Sequence, residues 1–302
     1  MNDWLTMEHD ELLNEAIMSE TPIIVVEGPT DVPIYEKIGR SIGKGCEVIA
    51  VQNLKGMHEG NKSVIEFIKL LNEVDFSGDL QKYIIGVIDR DSRYFRGELV
   101  EIPGLFILKF YSMESHFITK EAVKCVLEQC TNTSSKLVNE DIINFIFCGI
   151  IDELMELYLV SLESLKNACV KNYTAVATYS MNVTQMRNIG SFNAVKEKEQ
   201  ILREFGDENG LSGSFISLLE ICKGKWVFSE FSRLLLKRVK NLYNSCGVDI
   251  FERCQFCFND KKDLCSYKLE TSYDQSQVCN IIKSNEGFTE FNYLKERLVN
   301  MI

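Results

Sequence analysis

Three acidic side chains stand where runs of apolar, β-branched residues stop. Glu27 ends "PIIVVE", and Asp89 and Asp91 end "YIIGVIDRD". A carboxylate at the tip of a buried strand is costly unless water or a cation meets it. In an extended chain, residues i and i+2 point the same way, which places Asp89 and Asp91 together and turns Arg90 away. Parallel strands bring their C-terminal tips to one sheet edge, the edge where open α/β folds take ligands. Clustered carboxylates repel one another and raise their own pKa values, and a hard divalent cation relieves this. Magnesium takes oxygen ligands, typically one or two carboxylates with water and phosphate, so Glu27, Asp89 and Asp91 suit Mg2+, with Mn2+ as its substitute. No His/Cys set accompanies them, which argues against zinc at this edge. Asp31 lies just beyond Gly28 and reads either as a further ligand or as a helix cap. Gly28 permits close backbone approach, and the helix N-terminus after it offers N–H groups to a phosphate.

The elements that must position these acids are legible around them. An opening helix is expected over residues 4–19. "PIIVVE", "CEVIAVQ", "YIIGVIDRD" and "LFILKF" read as strands, because they are β-branched and punctuated by Gly and Pro. "TDVPIYEKIGRSI" and "KSVIEFIKLLNEV" read as the helices between them, the first capped by Thr30 or Asp31, with Pro33 tolerated in its first turn. Alternating β and α units over about a hundred residues predict a mostly parallel sheet with crossover helices. Beyond Phe117 helical periodicity dominates: "VLEQC", "ELMELYLVSLESLKNA", "NAVKEKEQILREFG", "SFISLLEIC", "VFSEFSRLLLKRVKNLY" and "FNYLKERLVNMI" all fit helices. The expected division is an α/β domain over 1–118 and a mainly α-helical domain over 119–302.

Bulk properties bound the function classes. With 302 residues, 45% of them apolar, the chain has material for a substantial core. A formal net charge of −11 opposes long-range attraction to nucleic acid without excluding a local basic groove. The greasiest segment, "IINFIFCGIIDELMELYLV", is interrupted by Asp152, Glu153 and Glu156, so it reads as a buried helix rather than a membrane span. The start is acidic and amphipathic, unlike a secretory leader. Eleven cysteines then read as reduced thiols of a cytoplasmic protein. No G-x-x-x-x-G-K-[ST] occurs, so the chain carries no P-loop of its own.

A strand ending in Glu27-Gly28, Asp31 soon after, and Asp89-x-Asp91 at a later strand tip together resemble the Toprim domain. That domain is shared by topoisomerases, bacterial primases, RecR-type repair proteins and OLD-family nucleases. The resemblance covers residues 22–117 and extends to "FYSMESHFI", where Glu114 matches a glutamate that follows the fourth strand in OLD-like relatives. It implies Glu27 as general acid/base, with Asp89 and Asp91 as metal ligands and Glu114 in the same site. A Toprim unit followed by helices, in a chain this short, is similar to the stand-alone effectors of PARIS-type anti-phage defence, which are encoded beside an ABC-type ATPase. That implies a nuclease toxin held silent by its ATPase, with RNA, specifically tRNA, as substrate and a homodimer as active form. Two other readings are an OLD-type DNA endonuclease and a non-catalytic adaptor that binds an ATPase.

Two further groups stand out. Lys223 and Lys225 precede a helix on which Arg233, Lys237 and Lys240 recur at i, i+4 and i+7, a candidate nucleic-acid face in an acidic chain. Cys246, Cys254, Cys257 and Cys265 include one C-x-x-C. Ordinary reduced thiols are the expectation there, with zinc as the alternative.

Overall fold

The computed structural model describes residues 7–134, 136–285, 287 and 289–301. The chain forms two compact units. One comprises the described residues through Lys109 and those from Thr289 onward, and the other comprises those in between. The division therefore falls near 109 rather than 118, and the last helix returns to the first unit instead of closing the second.

The first unit runs α1 (His9–Ser19), β1 (Ile23–Val26), α2 (Val32–Ser41), β2 (Glu47–Ala50), α3 (Asn61–Asn72), β3 (Ile84–Ile88) and β4 (Leu105–Ile107). The expected opening helix thus begins at His9, and its first residues, 4–6, lie outside the described residues. The four strands form one parallel sheet in the order β2-β1-β3-β4. Ile23 is aligned with Glu47 on one side and with Ile84 on the other. The chain steps one way from β1 to β2 and back across β1 to β3. Right-handed crossovers then require α2 and α3 on opposite faces of the sheet. The packing agrees: Ile23, Val25 and Ile84 share a core with Leu12, Leu13 and Ala16 of α1 and with Val64, Phe67, Ile68 and Leu71 of α3. Ile24, Val26, Ile85 and Val87 point to the other face and are equally buried. Both faces being covered explains the unbroken apolar runs of β1 and β3.

The second unit is helical among its described residues. It contains α4 (Lys120–Cys130), α5 (Glu140–Leu154), α6 (Leu157–Cys169), α7 (Val183–Asn188), α8 (Ser191–Lys196), α9 (Glu199–Glu208), α10 (Phe215–Ile221), α11 (Gly224–Asn241), α12 (Gln255–Phe258) and α13 (Gln275–Ser284). The greasy segment is not one helix, since the chain turns at Met155–Glu156 between α5 and α6. Its apolar residues are thereby shared between two helices. On α6, Glu163 is fully buried and fully engaged. It accepts from the Tyr173 hydroxyl at 2.5 Å, the Val176 N–H at 2.9 Å and Lys198 Nζ at 2.8 Å, which offsets the cost of burying a charge. No described helix is long and apolar enough to cross a membrane.

The closing helix, α14 (Asn292–Val299), belongs to the first unit. Tyr293 stacks on Phe106 of β4 with centroids 5.5 Å apart, and its hydroxyl accepts from the Lys109 N–H at 2.9 Å. Lys44 donates to the carbonyls of Val299 and Met301, placing a cation at the negative end of the helix.

Candidate active site

The strand order places the reversal of winding between β1 and β3. At such a switch point the connections leave to opposite sides and open a crevice at the C-terminal edge. Glu27 and Asp89 are the first residues past those two strands. The structure joins them there: Glu27 Oε1 accepts from the Asp89 N–H at 2.8 Å. Behind this contact, the Glu27 carbonyl accepts from the Gly60 N–H at 2.9 Å, tying the loop before α3 to the tip of β1.

Burial pushes the Glu27 carboxyl up to about 7, the Asp89 N–H opposes this, and Asp31 and Asp91 add to the rise. Glu27 therefore holds its proton at the acid side of neutrality. Asp31 occupies the N-cap position of α2, yet its side chain makes no capping bond there. Tyr35, one turn into α2, is buried with Asp89, Asp31 and Glu27 nearby; desolvation and those charges raise its pKa. Burial first, then Glu290 and Asp89, raise that of Tyr293 as well, so α14 delivers a second phenol to the neighbourhood of Asp89.

Asp91 departs from the expected extended geometry. β3 stops at Ile88, and Asp91 has φ +40°, in the left-handed region. Its carboxylate accepts from the Arg93 N–H at 2.6 Å and from Arg93 Nε at 3.1 Å, and Asn61 Nδ2 donates to it at 3.3 Å. The i, i+2 argument fails because the chain turns immediately after the strand, and the turn presents a local cation to Asp91. Arg90 does face elsewhere, donating to the Lys109 carbonyl at 2.9 Å with its guanidinium 3.6 Å from the Tyr94 ring centroid.

Among the described residues, two groups of three or more potential ligands bring their donor atoms within 4.8 Å of one another. These are Cys246, Cys254, Cys257 and Cys265, and the exposed or half-buried Glu8, His9 and Asp10. The expected set of Glu27, Asp89 and Asp91 is not drawn that close. The acids are gathered at one edge, with Asp91 held by Arg93. The donor set nonetheless fits a hard cation. It is all oxygen, and the half-buried Glu27 carboxyl has its pKa raised by desolvation and further by neighbouring aspartates, a repulsion that a divalent ion relieves. Glu59 adds a carboxylate near the same loop, with Oε1 2.9 Å from where a β-carbon on Gly28 would stand.

Glu114 lies in the second unit, in a short turn (Met113–Phe117) before α4, and accepts from Ser112 Oγ at 2.6 Å. His116, to which sequence assigned no role, is buried in that turn, with Nδ1 3.1 Å from the Ser112 carbonyl and its ring against Phe110. The first residue of α11 packs directly on the turn. A β-carbon on Gly224 would stand 1.8 Å from Ser112 Oγ and 2.8 Å from Glu114 Oε2. Lys223 and Lys225 flank that glycine, and Lys223 feels the Glu114 charge. Glu114 and the glycine–lysine element, which begins 109 positions later at Lys223 and was read separately, thus form one local cluster. Gly224→Ala should cost about 1–3 kcal/mol through overpacking, and Ser112→Gly in the same chain should restore most of the loss. Urea unfolding of wild type and the two variants checks this; an alanine chain as stable as wild type would contradict the contact.

The basic stripe expected along α11 is largely engaged by acids. Arg233 pairs with Glu230 at 2.8 Å, and Lys237 Nζ lies 3.9 Å from Glu153, whose other oxygen accepts from Arg238 at 2.7 Å. Lys240 is exposed. At the other end of the helix, Lys223 and Lys225 line a cavity of about 740 Å3 with Asn182, Gln185 and Ser229. Lys223 Nζ donates to the Tyr179 carbonyl at 2.7 Å, and Lys225 is exposed.

No family model matches the chain, and no curated protein matches it.

Proposed function

We propose that the chain is a metal-dependent phosphodiesterase of the Toprim kind, acting as a nuclease effector on RNA, with tRNA as the favoured target. The observation that carries this reading is the meeting of Glu27 and Asp89 at the β1/β3 switch point of an all-parallel sheet. In this reading Asp89 and Asp91 hold Mg2+, or Mn2+ in its place, with Asp31 as a further oxygen donor, and Glu27 moves the proton or binds a second ion; the Toprim resemblance adds Glu114 to the set. When bound, the ion neutralises phosphate charge and activates water or a sugar hydroxyl.

The remaining roles belong to the chain itself. Glu27, with its pKa raised to about 7, is suited to exchanging a proton near neutrality. Its contact with the Asp89 N–H fixes the carboxyl at the strand tip. Lys225 and Lys223, beside a polar cavity, supply the positive charge for a phosphate backbone in an otherwise acidic protein. The resemblance to defence effectors supports an ABC-type ATPase as the silencing partner, a homodimer as the active form and a cytoplasmic location.

The ion pair between Asp91 and Arg93 favours a second reading, a Toprim scaffold that binds an ATPase without cleaving. One experiment separates them. Purified chain is incubated with total tRNA and with supercoiled plasmid, in Mg2+ and in chelator, and the RNA ends formed on induced expression are sequenced. Magnesium-dependent cuts in tRNA support the proposal. Nicked plasmid with intact tRNA would transfer it to a DNA endonuclease, and no cleavage of either would leave the scaffold.

A further inference from the structure

We infer that Cys246, Cys254, Cys257 and Cys265 hold a single zinc ion that organises the segment between α11 and α13. This is independent of the acidic site.

The four sulfurs all lie within 4.8 Å of one another, although the outermost two are nineteen positions apart in sequence. A thiolate tetrahedron around zinc, with Zn–S bonds of about 2.3 Å, has edges of about 3.8 Å. Cys254 Sγ and Cys265 Sγ are 3.9 Å apart. That separation matches a tetrahedron edge and is far from a disulfide bond. An iron–sulfur cluster interposes inorganic sulfide and several irons, and would hold cysteine sulfurs farther apart than this.

The backbone points its donors at the sulfurs. Cys254 Sγ accepts from the Cys257 N–H at 3.5 Å and from the Ser266 N–H at 3.4 Å, and Cys246 Sγ accepts from the Cys254 N–H at 3.3 Å. Such bonds favour a charged thiolate over a neutral thiol. Zinc with four thiolates carries a net charge of −2, and Arg253, Lys262 and Lys268, with Asp263, line the cavity beside Cys246, Cys257 and Cys265. The basic residues offset that charge.

The segment also needs a core it does not otherwise have. Between α11 and α13 the regular structure amounts to the four-residue α12 and two short turns. Cys254, Cys257 and Cys265 are buried there with Phe251 and Tyr267, while Val248, Ile250, Phe256, Phe258 and Leu264 are exposed. A piece this small ordinarily requires a metal or a covalent staple. Four thiols closing on one ion, with release of their protons, supply it.

The test uses the full chain, purified without chelator from zinc-supplemented cells. Elemental analysis should find one zinc per chain, retained by Cys148→Ser, which alters an exposed cysteine on α5. Cys254→Ser and Cys265→Ser should lose it. Should those variants fail to fold, the wild-type chain still decides. After its metal is displaced and replaced by Co2+, it should show the intense visible and thiolate charge-transfer bands of tetrahedral cobalt, which an oxygen-ligand site cannot produce. Zinc below a tenth of an equivalent with no such cobalt spectrum, iron in place of zinc, or an intact mass showing these cysteines joined in disulfides would each overturn the inference.

Discussion

Glu27→Gln should lower the rate of magnesium-dependent RNA cleavage by about 10^2- to 10^4-fold, the usual range for removing a general acid or base. Glutamine is nearly isosteric, and its side-chain oxygen can still accept from the Asp89 N–H, so the tip of β1 stays in place. What disappears is the proton that the half-buried carboxyl holds and releases near pH 7. Initial rates on tRNA measure the effect, and growth of cells expressing the variant measures it independently, since loss of cleavage should bring loss of toxicity. A Glu27→Gln chain that cleaves as fast as wild type would remove Glu27 from the proposed reaction.

The same substitution should stabilise the protein at alkaline pH. In the folded chain Glu27 keeps its proton up to about pH 7, against an ordinary value of 4.5. Between those two values the folded state binds more protons than the unfolded state, so stability must fall as pH rises. The contribution is fully present below about pH 4.5 and is gone above pH 7. A gap of that size corresponds to roughly 3 kcal/mol. Without divalent ions, wild type should lose this much across the window relative to Glu27→Gln, which has nothing to titrate there. Comparing the two proteins at each pH cancels the contributions of other groups. Magnesium should narrow the gap, because a bound cation favours the carboxylate. Melting curves in chelator and in Mg2+, from pH 4.5 to 8.5, provide the measurement. Parallel curves for the two proteins would mean that Glu27 is not buried as described.

The parallel sheet and its acidic edge were legible in sequence because both depend on local pattern. β-Branched runs mark strands buried on two faces, and residues just past those runs fall at the strand tips. Glu27 and Asp89 meet for that reason. Asp91 was misjudged because the chain abandons the extended conformation one residue too early, and nothing in "IDRD" reveals a left-handed turn or the return of Arg93 onto its neighbour. Tyr35 and Tyr293 were invisible as members of the site, the first because a helix phase does not say what lies opposite it. The second escaped notice because Tyr293 contacts Lys109 across 184 residues. The break between α5 and α6 carries no Gly or Pro, so nothing in the local sequence punctuates it. The cysteine cluster was not legible either: Cys246 and Cys265 stand apart from the C-x-x-C in sequence, and left-handed turns at Gly247, Asp249 and Asp260 lie along the segment that gathers the four sulfurs.

The strands of the first unit precede the second unit in the chain, yet the β4 side of their sheet is covered by a helix that follows it. During synthesis the strands leave the ribosome long before Tyr293 and Arg297 exist to dock on Phe106 and the Gln81 carbonyl. The entire second unit has to be translated in the interval. A chain cut short at any point before α14 therefore leaves Phe106 bare and Asp89 without the Tyr293 phenol beside it, so the acidic edge is completed only after the second unit has been made.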